Sequence, residues 1–483
     1  MNITTLNGIL PILILTGVGL LVLLVEAFIE RDRERRFAFI LSLAGIIATL
    51  VSLFSQLVHH DADLLLFGGA LIVDHTGLAF SIIICLGALL VLILSHRHVT
   101  RIHRNAGEFY SLILFATLGM HALTISNDMM TFFVSLEVMS VAVYILAGVN
   151  RKSLKSNESA LKYLILGAFS TAFLLLGIAF VYGATGQMGF MEIKEALLSE
   201  ANAPFQSVGI LGLILIMVGF IFKIGAFPFQ QWVPDVYEGA PSIVTAFMAT
   251  CVKTAAFAIL LRGLFTFFQA DESGFLMSAL TVITVLTMIF GNFMALIQSN
   301  IKRLIAYSGI AHTGYILLAI LAALSDPAKP DITPILFYLL VYTLMTVGAF
   351  AVLIGASRGG EEVETFEDIR GLGYKHKLLG LFMAFFFFSL AGIPSTAGFM
   401  GKFFIFKAAI SKELYALAVI GILTAVVSVY YYLKIVVYLY LKEENRRYEK
   451  YSIQWNYLLA SFLTFLLVLF LGIFPQFGFK LLK

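Results

Sequence analysis

Charged residues are scarce in this chain. Asp, Glu, Lys and Arg make up 13% of its 483 residues while hydrophobic types make up 60%, and the mean hydropathy is +0.96. That balance lies far outside the globular range and predicts an all-α polytopic membrane protein, with the lipid bilayer as partner and no nucleic acid. The formal net charge of +3 says little by itself, because placement matters more than the sum. Cysteine is nearly absent as well. Cys85 and Cys251 both fall within apolar runs and make no spaced cluster, so neither a zinc nor an iron–sulfur site can be built from them. Both are read as small core residues. Also missing are a basic stretch ahead of the first apolar run and a small-residue cleavage site behind it, which predicts a retained helix rather than a signal peptide. No soluble domain, heptad array or low-complexity segment is visible.

What is present is a succession of apolar runs, nearly all as long as a ~30 Å hydrocarbon core requires. About fourteen spans are predicted, near residues 7–29, 37–58, 76–95, 109–126, 129–149, 159–183, 208–230, 242–266, 275–298, 303–324, 332–357, 377–411, 413–441 and 455–475. Asp63 to Asp74, with Gly68-Gly69 at its middle, is too short to cross and predicts a small external hairpin. Basic residues mark alternate loops: Arg31, Arg33, Arg35 and Arg36 after the first span, Arg97, Arg101 and Arg104 after the third, Arg151, Lys152 and Lys155 after the fifth, and again after the ninth, eleventh and thirteenth. By the positive-inside rule both termini face the non-cytoplasmic side, and the unbroken alternation supports the count of spans.

The few basic residues inside spans carry the functional argument, because a charged side chain at the bilayer centre costs roughly 3 kcal/mol on insertion scales. Lys223 and Lys253 lie at similar depths in consecutive runs joined by a polar, proline-punctuated turn from Gly225 to Pro241. Pro228 follows Lys223 by five residues, so that helix is expected to kink or break there and free backbone carbonyls, which is tolerated at membrane depth only where protein or water surrounds them. Lys402 follows a second break, Ala391-Gly-Ile-Pro-Ser-Thr-Ala-Gly398, and Lys434 lies 32 residues beyond it, much as Lys253 lies 30 beyond Lys223. Spans 4 to 8 then correspond to spans 9 to 13. Five helices per copy force the second copy to be inverted, the architecture of ion-coupled transporters with discontinuous helices. The single transmembrane domain, 1–483, divides into a three-helix segment (1–108), two inverted five-helix repeats (109–266 and 275–441) and a C-terminal helix (455–483). Arg262 and Lys407 sit near span ends, and Arg262 is expected to snorkel outward.

Glu137 stands near the middle of span 5 with no charged neighbour one turn away, so it needs a partner from another helix. A Glu137–Lys223 pair that is made and broken acts as a charge-controlled proton switch, since an ammonium that loses its acid becomes a better donor. Lys253 and Lys402 are the next relay sites, with His312 between them as a group able to carry a proton near neutral pH. Lys434 is either a relay site or an anchor. The competing reading is that these charges only lock helices together, but their summed placement cost, on the order of 10 kcal/mol, is as large as a typical folding free energy. His121 is expected to be a satisfied core histidine and Glu26 an interfacial acid.

Several stretches carry a family resemblance: Leu136-Glu137, Phe222-Lys223, Pro228, Trp232-Val-Pro-Asp-Val-Tyr-Glu-Gly-Ala-Pro241, Gly291-Asn-Phe-Met-Ala-Leu-Ile-Gln-Ser-Asn-Ile-Lys-Arg303, Ala306-Tyr-Ser and Leu390-Ala-Gly-Ile-Pro-Ser-Thr-Ala-Gly-Phe-Met-Gly-Lys402. Together they resemble the antiporter-like membrane subunits of bacterial respiratory complex I, NADH-quinone oxidoreductase, over nearly the whole chain. The resemblance implies that Glu137 is the buried acid, Lys223 its paired lysine, Lys253 the central lysine and Lys402 the exit-side lysine; His312 matches a histidine often found in span 10. Lysine at 402, where M-type members usually have glutamate, favours the N or L type, and the lack of the L type's C-terminal arm helix leaves N. It also implies an NADH-quinone oxidoreductase subunit that translocates protons while NADH, FMN, iron–sulfur clusters and quinone are handled by partner subunits, with no cofactor in this chain. The implied neighbours are the antiporter-like subunit M and small subunits A, J and K, in a bacterial inner membrane. Alternatives are a subunit of a multi-subunit sodium/proton antiporter or membrane-bound hydrogenase, a stand-alone solute transporter, and a purely structural membrane subunit.

Overall fold

A computed structural model describes residues 3–28, 31–59, 62–102, 106–267, 274–326, 329–357, 362–443 and 454–482. The chain begins with α1 (Ile3–Phe28) and α2 (Arg31–Val58), a hairpin of β1 (Leu64–Leu66) and β2 (Leu71–Val73), then α3 (His75–Ile102), α4 (Ala106–Thr124), α5 (Met129–Ala147) and α6 (Leu154–Thr185). A short α7 (Phe190–Leu198) precedes α8 (Gln206–Ile224), α9 (Trp232–Gly239), α10 (Ser242–Phe247) and α11 (Lys253–Phe267). The second half holds α12 (Phe275–Leu296), α13 (Ile301–Leu324), α14 (Thr333–Ala356), α15 (Leu372–Lys375), α16 (Lys377–Ala391), α17 (Ala397–Ser411), α18 (Tyr415–Tyr440), α19 (Trp455–Ile473) and α20 (Pro475–Leu482).

Thirteen of the described helices are long and apolar enough to cross a membrane, taking 242–265 as one. The remaining predicted span, 377–411, is two half-length helices, α16 and α17. They are separated where Gly392 caps α16 with a φ of +87° that a side chain would resist. The seventh predicted span stops earlier than expected. Gly225, at φ +69°, ends α8 directly after Lys223-Ile224, and the stretch through Pro228 lies outside the helix rather than kinking it. Trp232 restores the break: its ring stacks on Tyr163 and Phe222, and its Nε1–H donates to the Phe222 carbonyl at 3.0 Å. A third irregularity precedes Lys253, where Met248–Val252 winds as one π-turn between α10 and α11, wider than an α-turn and common at functional positions.

The predicted hairpin forms with Leu64 opposite Val73 and Leu66 opposite Leu71, and Gly68 and Gly69 supply its positive-φ turn. Ile72 N–H donates to Ile125 O and Asn127 N–H to Ala70 O, docking the hairpin on the α4–α5 connection. Spans 242–265, α13 and α14 are buried throughout and form the centre, while fewer than half of the residues in the spanning windows of α1, α6 and α18 are buried. Cys85 and Cys251 pack in that interior as free thiols.

Two expectations are corrected. Arg262 does not snorkel free; it is held at the level where spans end, donating to Asp74 Oδ1 at 2.8 Å and to Thr124 O at 2.9 Å, which ties α11 to the hairpin and to α4. His121 is only half satisfied, with Nδ1 bonded to Ser81 Oγ at 2.8 Å and Nε2 buried without a partner among the described residues. The side chains of Arg31, Arg33, Arg35, Arg97, Arg101 and Arg104, which enter the orientation argument, lie outside the described residues.

Candidate functional site

The two helix breaks and the π-turn bring three lysines into the interior. Lys223 is the penultimate residue of α8, so it sits directly beside the first break. It donates to Ser140 Oγ (2.8 Å) and Tyr144 OH (3.2 Å) and lies 5.4 Å from the centre of the Tyr144 ring. Glu137, Ser140 and Tyr144 share one face of α5, three and four residues apart. Lys223 therefore docks on the face that carries Glu137 but one turn beyond it. The expected Glu137–Lys223 ion pair is not made: Glu137 accepts a hydrogen bond from Thr171 Oγ1 at 3.0 Å instead. Nor is Glu137 fully buried. Val134, Val138 and Val141 beside it are exposed on an outward apolar face, so the acid sits half-buried at the edge of the bundle.

Lys253, first residue after the π-turn, donates to Gly309 O (2.7 Å) and Thr313 Oγ1 (3.2 Å) on α13, under the Tyr342 ring at 5.6 Å. Thr313 Oγ1 also lies 3.1 Å from Ile224 O, the carbonyl next to Lys223. One hydroxyl thus bridges the break after Lys223 to the ammonium of Lys253. One turn along α13 from Gly309, His312 shares hydrogen bonds through Nδ1 with Tyr338 OH (2.5 Å) and through Nε2 with Tyr432 OH (3.0 Å), and its ring packs 5.0 Å from Tyr342. Lys402 donates to Leu390 O (2.9 Å) and Ala391 O (3.0 Å), the carbonyls freed where α16 ends, and lies 5.6 Å from the ring of Tyr315. Tyr315 packs edge-on to His312 and accepts from Asn292, which accepts in turn from Tyr431.

Lys223, Lys253, His312 and Lys402 therefore line one interior file, with hydroxyls and aromatic faces between neighbours. Lys434 stands apart: partly exposed, it lies 4.4 Å over the Phe366 ring near the loop that follows α14. None of the three interior lysines pairs with a carboxylate among the described residues. Hydroxyls, carbonyls and ring faces hold an ammonium, at about 0.5–2 kcal/mol for a cation–π contact, yet they do not trap its proton as a carboxylate would. Such an arrangement can pass protons one at a time. The intervening Thr313, Tyr144, Tyr315, Tyr338, Tyr342 and Tyr432 were not anticipated, although their signal is in the sequence. Tyr338 and Tyr342 are one turn apart in an aliphatic span, as are His312 and Tyr315.

Sequence reading also missed a charged belt at one face. Arg303 pairs with Asp235 and Glu238, Lys162 with Asp235, Lys155 with Glu364, and Lys302 with Glu362. Burial works against the ionised form of Asp235, but hydrogen bonds from Lys162 and Arg303 outweigh it and hold the carboxyl below the usual range. These contacts join α6, α9 and α13 with the connection after α14.

Comparison with known proteins places the chain in a family. The family described as "NADH:quinone oxidoreductase/Mrp antiporter, TM" matches residues 126–428. The chain is similar to a protein named NADH-quinone oxidoreductase subunit N from Trichlorobacter lovleyi, 41% identical over 98% of this chain and 95% of that one. Among solved structures it is similar to a chain of respiratory complex I from Thermus thermophilus, 33% identical, covering 97% of this chain and 98% of that chain with a TM-score of 0.80. A chain of the Mrp complex from Dietzia, 18% identical with a TM-score of 0.85 over 100% of this chain and 96% of that one, shares the fold.

Proposed function

Because the chain belongs to the antiporter-like family of NADH:quinone oxidoreductase and Mrp membrane subunits, we propose that it translocates protons as a membrane-arm subunit of NADH-quinone oxidoreductase, through Lys223, Lys253, His312 and Lys402. The observation that carries the path is the Thr313 hydroxyl, which touches the carbonyl beside Lys223 and the ammonium of Lys253 at once. Glu137 acts as the switch: with the acid on Thr171, Lys223 is free to give up its proton, and closing the pair recharges it. Electron transfer from NADH through flavin and clusters to quinone belongs to partner subunits. The exposed apolar faces of α5 and α6 suit a neighbouring membrane subunit, for which M and the small subunits A, J and K are the candidates. Two breaks, each followed about 30 residues on by a second lysine, support two inverted five-helix repeats. The charged belt lies on the cytoplasmic side and both termini on the other.

The test is made on the intact complex in sealed vesicles, with Glu137→Gln and Lys223→Ala read out as NADH-driven quinone reduction and proton uptake. Assembly with both activities sharply reduced is expected. Lost assembly, or unchanged activities, overturns the switch, and the module that co-purifies separates complex I from an antiporter assembly.

A further inference from the structure

We propose that the Lys302–Glu362 ion pair is a gate between a polar cavity on the charged face and Lys253, and that a strip of small residues on α13 is the passage it closes; this rests on the proton-translocation reading above. The cavity, about 450 Å³, is lined by Asn150, Lys155, Glu238, Lys302, Glu362 and Glu364 among others. Its polar lining and size suit water. At its floor Lys302, 1% exposed, donates to Ala240 O (2.6 Å) and to Glu362 Oε2 (3.0 Å). Glu362 also accepts from Ser242 N–H (2.9 Å) and Ser242 Oγ (2.6 Å). The pair is thereby fastened to the first residue of α10, whose far end runs through the π-turn into Lys253.

A structural tie does not need this pair. The start of α13 is already tied to the loop after α14 by backbone pairing, with Ile301 N–H donating to Glu364 O at 2.7 Å and Asn300 bridging to Thr365, and the neighbouring pairs of Arg303 and Lys155 are more exposed and less costly to desolvate.

The passage is read from α13. Lys302, Ala306, Gly309 and Thr313 are offset by 4, 7 and 11 residues and share one stripe. Its first residue faces the cavity, while Gly309 O and Thr313 Oγ1 hold Lys253. Between them, over about 10 Å of helix axis, the stripe carries only a methyl and a hydrogen. A Cβ at 309 would come within 3.0 Å of Tyr342 OH and 3.3 Å of Lys253 Nζ. On the facing α14, Thr346 follows Tyr342 by one turn in the direction of Glu362, and its buried hydroxyl stands beside that of Tyr342. A buried hydroxyl with hydrogen-bonding capacity to spare is a place for water.

The proton balance is simple. A proton from cavity water lands on Glu362, the Lys302–Glu362 bond breaks, and the released ammonium no longer stands across the strip. The proton then leaves Glu362 through water for the free amine of Lys253, and the carboxylate re-forms its pair with Lys302. With the pair closed, the Lys302 side chain is anchored across the strip by Ala240 O and Glu362 and closes it to water.

The experiment uses the intact complex in sealed vesicles, with Lys253→Ala measured alongside. Glu362→Gln and Ala306→Val are expected to assemble and to lose at least tenfold in NADH-driven proton uptake. Lys302→Met is expected to speed the decay of an imposed pH gradient severalfold. The exchanged pair Lys302→Glu with Glu362→Lys should regain part of the uptake, and where a single variant does not assemble this pair decides: assembly regained without uptake overturns the gate. Wild-type uptake in Ala306→Val and Glu362→Gln, or an unchanged leak in assembled Lys302→Met, also overturns it. If Lys253→Ala pumps normally, the relay reading fails; if Lys253→Ala is inactive while Ala306→Val pumps, the gate alone fails.

Discussion

Thr313→Val isolates the bridge between the two breaks, because it removes one hydroxyl and keeps the branched shape. The hydroxyl accepts from Lys253 Nζ at 3.2 Å and has one proton to share between Ile224 O and Gly309 O, both at 3.1 Å. A hydrogen bond to a charged group contributes about 1.5–3 kcal/mol, so the protonated form of Lys253 loses roughly 10- to 100-fold in occupancy at about 1.4 kcal/mol per decade. Proton uptake linked to NADH oxidation in sealed vesicles should fall by about that factor, with complex content on native gels unchanged, and Thr313→Ser should restore most of it. Uptake within twofold of wild type in Thr313→Val would refute the bridge. Equal loss in the serine variant would show that packing, not the hydroxyl, is at stake.

Lys434→Met is expected to leave turnover within about twofold, since a part-exposed cation–π contact contributes only about 0.5–1 kcal/mol; a larger loss of proton uptake in the assembled complex would put Lys434 on the path. Gly472→Ala should lower the melting temperature of the purified complex and its uptake together, because a Cβ there would lie 2.6–2.7 Å from backbone atoms of residues 395–397 at the α16–α17 break, an overpacking that costs about 1–3 kcal/mol. The Asp326–Lys412 link (2.8 Å) is pH-dependent in a defined sense. The hydrogen bond from Lys412 holds the Asp326 carboxyl below its usual range, so its contribution is complete above the ordinary carboxylate pKa and is lost as pH falls through the depressed value. The melting-temperature gap between wild type and Asp326→Asn should accordingly shrink on acidification, and a constant gap would show that the link carries no stability.

How far the sequence could be read depended on the kind of quantity asked for. Depth is legible, because each residue advances a helix by a fixed rise: the spans, the hairpin and the placement of Lys223, Lys253 and Lys402 in the interior follow from counting. Breaks are legible too, since glycine and proline mark them, although Gly225 rather than Pro228 ends α8. Azimuth is not. Whether Glu137 meets Lys223 depends on how α5 and α8 are rotated about their axes, and the observed rotation offers Lys223 the Ser140–Tyr144 end of the face. Lys302 was invisible for a related reason. It falls at a span boundary where a lysine ordinarily reaches headgroups, and only the tertiary fold shows it covered and paired with Glu362, sixty residues away.

The partners of the cations divide by location, and the division follows what each must do. At the faces, Arg303, Arg262 and Lys412 are held by carboxylates, a fixed arrangement suited to tying helices together. In the interior, Lys223, Lys253 and Lys402 are held by hydroxyls and by carbonyls, those of Lys402 freed where a helix ends. A carboxylate there would keep the lysine charged. A carbonyl or hydroxyl accepts the ammonium and tolerates the neutral amine, so the charge can leave without an unpaired anion remaining behind. The second helix break supplies such oxygens to Lys402 at a depth where side-chain ligands are scarce, while Lys223 beside the first break takes the Ser140 and Tyr144 hydroxyls. Lys302 has one partner of each kind, the Ala240 carbonyl and the Glu362 carboxylate. Arg262 shares that combination in Asp74 and Thr124 O, but of the two it is Lys302 that stands at the boundary between the charged face and the interior file.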